Sequence, residues 1–153
     1  MLPQKNMIIK ECLSPNEIKS TFSVMKQLRE KLADEAQYLA LVQSLKQTEG
    51  YRLIALFDEE KCVAAAGFRI KRCLFGHGLL ELYVDDLVTD ASQRSKGIGK
   101  KLFAWLEDEA RRLGCAALIL DSGTQRLAAH KFYEREGMRV TSLHFYKSSE
   151  QLF

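Results

Sequence analysis

The chain has 153 residues, of which 46% are apolar and 28% are charged. That length suits one domain of ordinary size, and the balance is that of a globular protein rather than a disordered or fibrous one. The 23 basic residues are nearly matched by 20 acidic ones, which disfavours a dedicated nucleic-acid binder. Residues 1–153 are therefore expected to form a single domain.

Nothing in the sequence suggests a membrane or secreted protein. The longest apolar run, residues 62–68, is far shorter than the about 20 residues that cross a bilayer. The first residues lack the apolar stretch of a signal peptide. The cysteines are widely spaced, without a C-x-x-C pair, which favours reduced thiols over the disulfides of a secreted protein. We expect a cytoplasmic protein with no membrane partner. No metal site is expected, because no second ligand pair accompanies Cys73 and His77.

Apolar periodicity and turn residues predict six strands and four helices. The predicted strands cover residues 7–12, 51–57, 62–70, 79–89, 115–120 and 139–147. The predicted helices cover residues 15–32, 34–50, 100–113 and 125–136. Ser14 and Glu17 form a capping box at the first helix, and its apolar face continues to Leu32. An antiparallel block followed by a strand-helix-strand crossover predicts an α/β fold, a mixed sheet with helices on both faces.

The segment most informative about chemistry is the loop that follows the fourth predicted strand. It contains Gly97 and Gly99 at the start of a helix, beside four basic residues. The first N–H groups of a helix have no internal partners and lie at the positive end of its dipole, so such a loop suits phosphate. The alternative is an ordinary strand-to-helix turn with a solvated basic face. Spacing excludes a P-loop and a dinucleotide fingerprint, because Arg94 and Leu102 stand where those motifs need glycine.

Two motifs resemble one known family. Arg94, Gly97 and Gly99 match the R/Q-x-x-G-x-G/A loop that binds acetyl-coenzyme A in the GNAT superfamily of N-acetyltransferases. Residues 129–138, AHKFYEREGM, resemble its A-x-x-F/L-Y-E-x-x-G-F/M motif. The element order resembles that family from the first strand to the sixth. The resemblance implies a single-domain GNAT-like fold with a mostly antiparallel central sheet, in which the fourth and fifth strands form a splayed parallel pair.

The resemblance also implies the reaction, direct transfer of an acetyl group from acetyl-CoA to a primary amine of a small molecule or protein. Backbone N–H groups of the loop would hold the pyrophosphate with help from Arg94 and Lys96, and the pantetheine arm would lie along the fourth strand. The implied cofactor-binding residues are Leu87, Val88, Thr89, Arg94, Ser95, Lys96, Gly97, Ile98, Gly99 and Lys100.

The acceptor amine must lose a proton, and the fourth strand offers three carboxylates for that step. An amine with a pKa of about 10.4 is only about 0.1% neutral near pH 7.4, a deficit of about 4 kcal/mol. Glu81, Asp85 and Asp86 are the candidate general bases, directly or through water. Strict alternation places Glu81 and Asp85 on one face and Asp86 on the other, unless a bulge changes the parity. Each could equally be a solvated or ion-paired side chain.

Tyr133 occupies the position of the general acid that protonates the departing thiolate in the family. The alternative is a half-buried aromatic residue on an amphipathic helix. One residue departs from the family pattern: Arg126 stands where many members carry asparagine, three residues before the Ala129 of the second motif. A coenzyme A contact at that position is therefore in doubt or made differently.

Two other classes of protein compete with the enzyme. A domain of the same fold could bind acyl-CoA as a non-catalytic sensor, although the intact loop and Tyr133 favour the enzyme. A nucleic-acid module is disfavoured by the near-balanced charge. The sequence leaves open the acceptor amine, which residues 14–50 and 73–80 would select, the acyl group, and whether the protein is a monomer or a homodimer.

Overall fold

The computed structural model describes residues 6–153. The chain forms two compact units, one ending at Leu120 and one spanning Asp121–Phe153. The strands of the first unit are β1 (Met7–Glu11), β2 (Arg52–Asp58), β3 (Lys61–Lys71), β4 (Glu81–Thr89) and β5 (Ala117–Leu120). Its helices are α1 (Pro15–Ser20), α2 (Phe22–Leu28), α3 (Glu35–Glu49) and α4 (Ile98–Arg112). The second unit contains α5 (Leu127–Arg135) and α6 (Ser149–Leu152).

The five strands form one mixed sheet in the order β1-β2-β3-β4-β5. The first four pair antiparallel, whereas β4 and β5 pair in parallel. The crossover from β4 to β5 runs through α4, as a parallel connection requires. The predicted fold class, a mostly antiparallel sheet with a parallel fourth and fifth strand, is confirmed.

Each face of the sheet carries its own apolar core. On one face, residues of α1, α2 and α3 such as Ile18, Met25 and Val42 pack against the strands. On the other face, Leu102 and Leu106 of α4 pack against the strands. The predicted placement of helices on both faces is therefore confirmed for the first unit.

The single helix predicted over residues 15–32 is wrong, because the chain breaks at Thr21 into α1 and α2. The Thr21 hydroxyl donates to the carbonyl of Ile18 (2.7 Å) and lies 2.6 Å from the hydroxyl of Tyr38. A threonine hydroxyl that bonds a preceding carbonyl competes with the helical hydrogen-bond ladder. α2 then ends at Leu28, so Leu32 lies beyond it although it still packs against the core.

The strand predicted over residues 139–147 is also wrong. No described strand pairs with these residues, and Val140 and Phe145 are exposed. Alternating apolar residues predict a strand, but a strand also requires the backbone of a partner. α6, capped by Ser148 and Gln151, follows this segment and was not predicted.

Candidate active site

A bulge in β4 brings two of the three candidate carboxylates to the same face. Gly67 of β3 pairs with Asp86, but the next residue, Phe68, pairs with Val84, so Asp85 is the extra residue. A bulge resets the alternation of side chains along a strand. Strict alternation, which would separate Asp85 from Asp86, therefore does not hold here.

Asp85 and Asp86 line a cleft of about 520 Å³ beside α3. Its lining residues are Arg29, Leu45, Glu49, Tyr51, Arg69, Asp85 and Asp86. The volume is in the range typical of small-molecule sites. Three carboxylates face two guanidinium groups, so the lining carries one net negative charge.

Asp86 is held by two partners. The Arg29 guanidinium donates to Oδ1 from Nε (2.8 Å), and its second nitrogen lies at the same distance from that oxygen. The hydroxyl of Tyr51 donates to Oδ2 over 2.8 Å. Arg29 also donates to the backbone carbonyl of Asp85 (2.8 Å), which ties the segment after α2 to the bulge.

Asp85 is bound by Arg69 in a two-pronged ion pair. Nε of Arg69 donates to Oδ2 (2.9 Å), and a terminal nitrogen donates to Oδ1 (2.8 Å). Such fork-to-carboxylate pairs fix the orientation of both groups. The other terminal nitrogen of Arg69 lies 3.8 Å from Glu49, beyond hydrogen-bond distance. A carboxylate has about four acceptor positions, so Asp85 and Asp86 can each accept a further donor.

Glu81, the third candidate base, lies apart from this cleft. It is only 8% exposed, and its Oε1 accepts a hydrogen bond from the Cys73 thiol over 3.2 Å. Gly76 packs so closely that an added Cβ would lie 2.9 Å from the same oxygen. Asp85 lies four positions further along the strand, which is roughly 13 Å at the rise of a β-strand. The structure therefore brings Asp85 and Asp86 together and places Glu81 under the turn before β4.

The end of β4 has one edge without a strand partner. β5 pairs with β4 only from Glu81 to Val84. Leu87, Val88 and Thr89 pair with β3 on their other edge. Within residues 6–153, no strand covers the free edge of this stretch. The family resemblance implies a splayed pair of strands at this place, with the pantetheine arm along the fourth strand.

The loop after β4 is fixed at its beginning and open at its end. Asp90 accepts from the backbone and the hydroxyl of Ser92 (2.9 and 2.7 Å), and Gln27 bonds both Asp90 and the N–H of Ala91. Ser95 (φ 64°) and Gly97 (φ 75°) then adopt left-handed conformations, and Gly97 precedes α4 without a side chain to cap it. Left-handed residues next to right-handed ones can form backbone concavities that bind anions.

The predicted cofactor residues of the loop lie together at this helix start. Ile98 is buried and anchors the helix, Gly99 is partly exposed, and the remaining predicted loop residues are exposed. These are Arg94, Ser95, Lys96, Gly97 and Lys100. Uncapped N–H groups, a positive helix end and exposed cations fit a pyrophosphate group.

Tyr133 lies in the second unit, on α5. It is half-buried, and its ring packs edge-on against that of Phe132 with 5.6 Å between centroids. Burial raises the pKa of Tyr133, and the charge of Arg126 acts in the opposite direction. The phenol is therefore protonated at neutral pH and can donate. Arg126 precedes α5, and the His130 ring bonds the carbonyl of Gly123 (2.8 Å).

Four polar residues of the cleft were not predicted from the sequence: Arg29, Glu49, Tyr51 and Arg69. They come from distant parts of the chain and share no motif. One local signal existed, since an isolated glycine within a strand, here Gly67, marks a bulge or a close approach.

In the described part of the chain, no group of His, Cys, Asp and Glu side chains could hold a metal ion, and no helix is long and apolar enough to span a membrane.

This chain belongs to the acetyltransferase (GNAT) family, whose model matches residues 17–138. The predicted family and enzyme class, an acetyl-CoA-dependent N-acetyltransferase, are thereby confirmed. The chain is 35% identical over 140 residues to the uncharacterized N-acetyltransferase YhdJ of Bacillus subtilis strain 168, covering 91% of this chain and 96% of that one.

Two further proteins extend the likeness. An aminoalkylphosphonate N-acetyltransferase of Salmonella typhimurium is 37% identical over 65 residues, 42% of each chain. The aminoglycoside N-acetyltransferase AAC(6')-Iy, solved in complex with CoA, shares the fold with a TM-score of 0.82 at 16% identity, over 97% of this chain and 99% of that one.

Proposed function

We propose that this chain transfers an acetyl group from acetyl-CoA to a small primary amine that also carries an acidic group. The proposal is supported by one observation, that β4 carries two different features. One edge of β4 is partly unpaired and leads to the uncapped start of α4. A bulge in the same strand directs two carboxylates into a cleft. An anionic cofactor and a cationic amine thus have separate places along one strand.

The loop and the strand edge form the cofactor side. The N–H groups near Ser95–Lys100 and the charges of Arg94 and Lys96 would hold the pyrophosphate. The backbone of residues 87–89 offers its free edge to the amide groups of the pantetheine arm, as one strand does to another. Acetyl-CoA supplies the acetyl group as a thioester.

The cleft forms the amine side. Asp85 and Asp86 attract an ammonium group, and their unused acceptor positions can take its protons, directly or through water. The amine nitrogen then bonds the acetyl carbon and the carbon–sulfur bond breaks. The amine proton goes to a carboxylate or to water. The departing thiolate takes a proton from Tyr133, the role that the family resemblance implies, and water returns a proton to the Tyr133 phenolate. Because burial raises the pKa of Tyr133, its hydroxyl still carries its proton at neutral pH when the thiolate departs.

The two arginines of the cleft suggest the rest of the acceptor. Arg29 keeps half of its side chain exposed although it binds Asp86. Among residues 6–153, no carboxylate lies within hydrogen-bond distance of one terminal nitrogen of Arg69. An acidic group on the acceptor could use these donors while its amine meets the carboxylates. The Salmonella relative is named for acceptors of this type, aminoalkylphosphonates.

The test is an acetyl-transfer screen that follows thiol release from acetyl-CoA. We expect 2-aminoethylphosphonate to be acetylated with a higher kcat/KM than putrescine, a diamine of similar length without an acidic group. A preference for putrescine would refute the acidic-group requirement. If no amine of a broad panel caused thiol release although acetyl-CoA bound tightly, the result would instead support the non-catalytic sensor.

A further inference from the structure

Tyr51 is a buried tyrosine whose hydroxyl bonds a carboxylate of the cleft. It follows Gly50 at the end of α3, it is 6% exposed, and its hydroxyl lies 2.8 Å from Oδ2 of Asp86. A buried hydroxyl is tolerated when it is hydrogen-bonded. Burial and the nearby Asp86 charge raise the pKa of Tyr51 well above its ordinary value, so the hydroxyl is a donor at neutral pH.

The strand beneath Tyr51 is shaped to receive it. A Cβ added to Gly67 would lie 1.7 Å from the Tyr51 hydroxyl oxygen and 2.2 Å from the ring carbon that bears it, so no side chain fits there. Gly67 is also the residue that pairs with Asp86 beside the bulge. Glycine within a strand is unfavourable unless a close approach requires it. The glycine, the tyrosine and the bulge therefore belong to one arrangement.

The two partners of Asp86 differ in how firmly they are held. The Arg29 side chain is 50% exposed and extends from the irregular segment after α2. Tyr51 is enclosed in the core with Tyr38 and Val88, and only its hydroxyl meets the cleft. The rigid partner, on Oδ2, fixes the direction in which the carboxylate points.

We propose that Tyr51, seated on Gly67, is the positioning residue that aims Asp86 at the ammonium group of the acceptor. The proposal rests on the function proposed above. Tyr51 transfers no proton in this scheme, because its hydroxyl acts on the acceptor only through Asp86.

The test is Tyr51→Phe, measured with 2-aminoethylphosphonate and acetyl-CoA, with Tyr38→Phe as the matched control. Tyr38 is equally buried on the same face, but its hydroxyl bonds Thr21 (2.6 Å). Because a hydrogen bond to a charged group is lost, we expect the amine KM of Tyr51→Phe to rise about tenfold with the acetyl-CoA KM unchanged. Tyr38→Phe should leave both unchanged. An unaltered amine KM in Tyr51→Phe, or an equal rise in Tyr38→Phe, would overturn the proposal.

Two further variants separate positioning from a general loss of packing. Gly67→Ala keeps the hydroxyl but displaces the ring, so it should also raise the amine KM; an unchanged KM would count against the proposal. In the Asp86→Asn background, Tyr51→Phe should add little, because it acts through that carboxylate. A full additive loss would show that Tyr51 acts independently. Absence of turnover in the wild-type protein would instead refute the proposed function itself.

Discussion

The loop at the start of α4 and the cleft beside α3 carry opposite net charges and present them in different ways. The loop leaves backbone N–H groups without a cap, and its cations are exposed. In the cleft, Asp85 and Asp86 are already bound by arginines, and Asp86 is also bound by Tyr51. The backbone N–H groups at a helix start can thus bind an anion without help from side chains. Carboxylate side chains that bind a cation need other side chains to hold them in a fixed orientation.

The largest expected effect tests a residue outside both regions. Tyr133→Phe should lower kcat by about 10²- to 10⁴-fold, the usual contribution of acid–base catalysis, while the acetyl-CoA affinity and the amine KM stay as they are. Tyr146→Phe, at an exposed tyrosine of the same unit, is the control. Steady-state rates and calorimetry measure the two quantities. Normal turnover of the Tyr133 variant would make that tyrosine structural.

A substitution that strains the backbone of the loop should weaken acetyl-CoA binding without affecting the cleft. Gly97→Val places a side chain at φ 75°, a conformation that costs roughly 1–2 kcal/mol for residues other than glycine, so the N–H groups should shift. We expect acetyl-CoA affinity to fall at least about tenfold by calorimetry, and Gly99→Val to act in the same direction.

The control for Gly97→Val lies at the other end of the same helix. Gly114 has φ 70° and open space around its Cβ, as Gly97 does. Gly114→Val should destabilise the fold to a similar extent without weakening acetyl-CoA binding. Equal losses of affinity in the two variants would mean that the loop has no special role.

Neutralising the carboxylates of the cleft should weaken amine binding without affecting the loop. Asp85→Asn and Asp86→Asn should each raise the amine KM about tenfold and leave acetyl-CoA binding intact. Their activity should recover as pH rises, because the neutral fraction of an amine with a pKa of about 10.4 grows tenfold per pH unit. Glu81→Gln, under the turn, should behave like the wild type in pH–rate profiles. The comparison would fail if Glu81→Gln were the damaging change.

Salt should weaken the loop more than the cleft. Exposed charges are screened at about 10 Å in 0.1 M salt, whereas partly buried ion pairs are screened less. The KM for acetyl-CoA should therefore rise more steeply with salt than the amine KM, and Lys96→Ala should flatten that dependence. Equal slopes for the two substrates would argue against an electrostatic loop.

The smallest expected effect concerns the start of α1, which Ser14 and Glu17 cap, whereas no side chain caps the start of α4. The backbone and hydroxyl of Ser14, together with Lys10, lower the pKa of Glu17 from 4.5 to about 2. Because the folded pKa is depressed, this stabilisation is present above pH 4.5 and is lost as pH falls towards 2. The unfolding free energy of the wild type should therefore approach that of Glu17→Gln between pH 5 and 2. A constant difference over that range would contradict the assignment.

Local sequence chemistry predicted the loop far better than the cleft. Glycine at a left-handed position before a helix is a short-range signal, and Gly97 occupies that position. The third helix was predicted in the same way, because Asp34 caps its start and Gly50 ends it. Thr21 shows where such signals fail: its hydroxyl meets Tyr38, a partner 17 residues away that periodicity cannot reveal.

The sequence by itself determined most of the elements and the glycine-bearing start of α4, because each depends on residues within a few positions of one another. Tertiary structure decided which carboxylates lie together. A bulge at Asp85 reversed the parity of β4, and Arg29, Tyr51 and Arg69 arrived from other elements to bind the two aspartates. It also left residues 139–147 without a strand partner. Pairing between distant segments depends on register and packing, which no short stretch of sequence specifies.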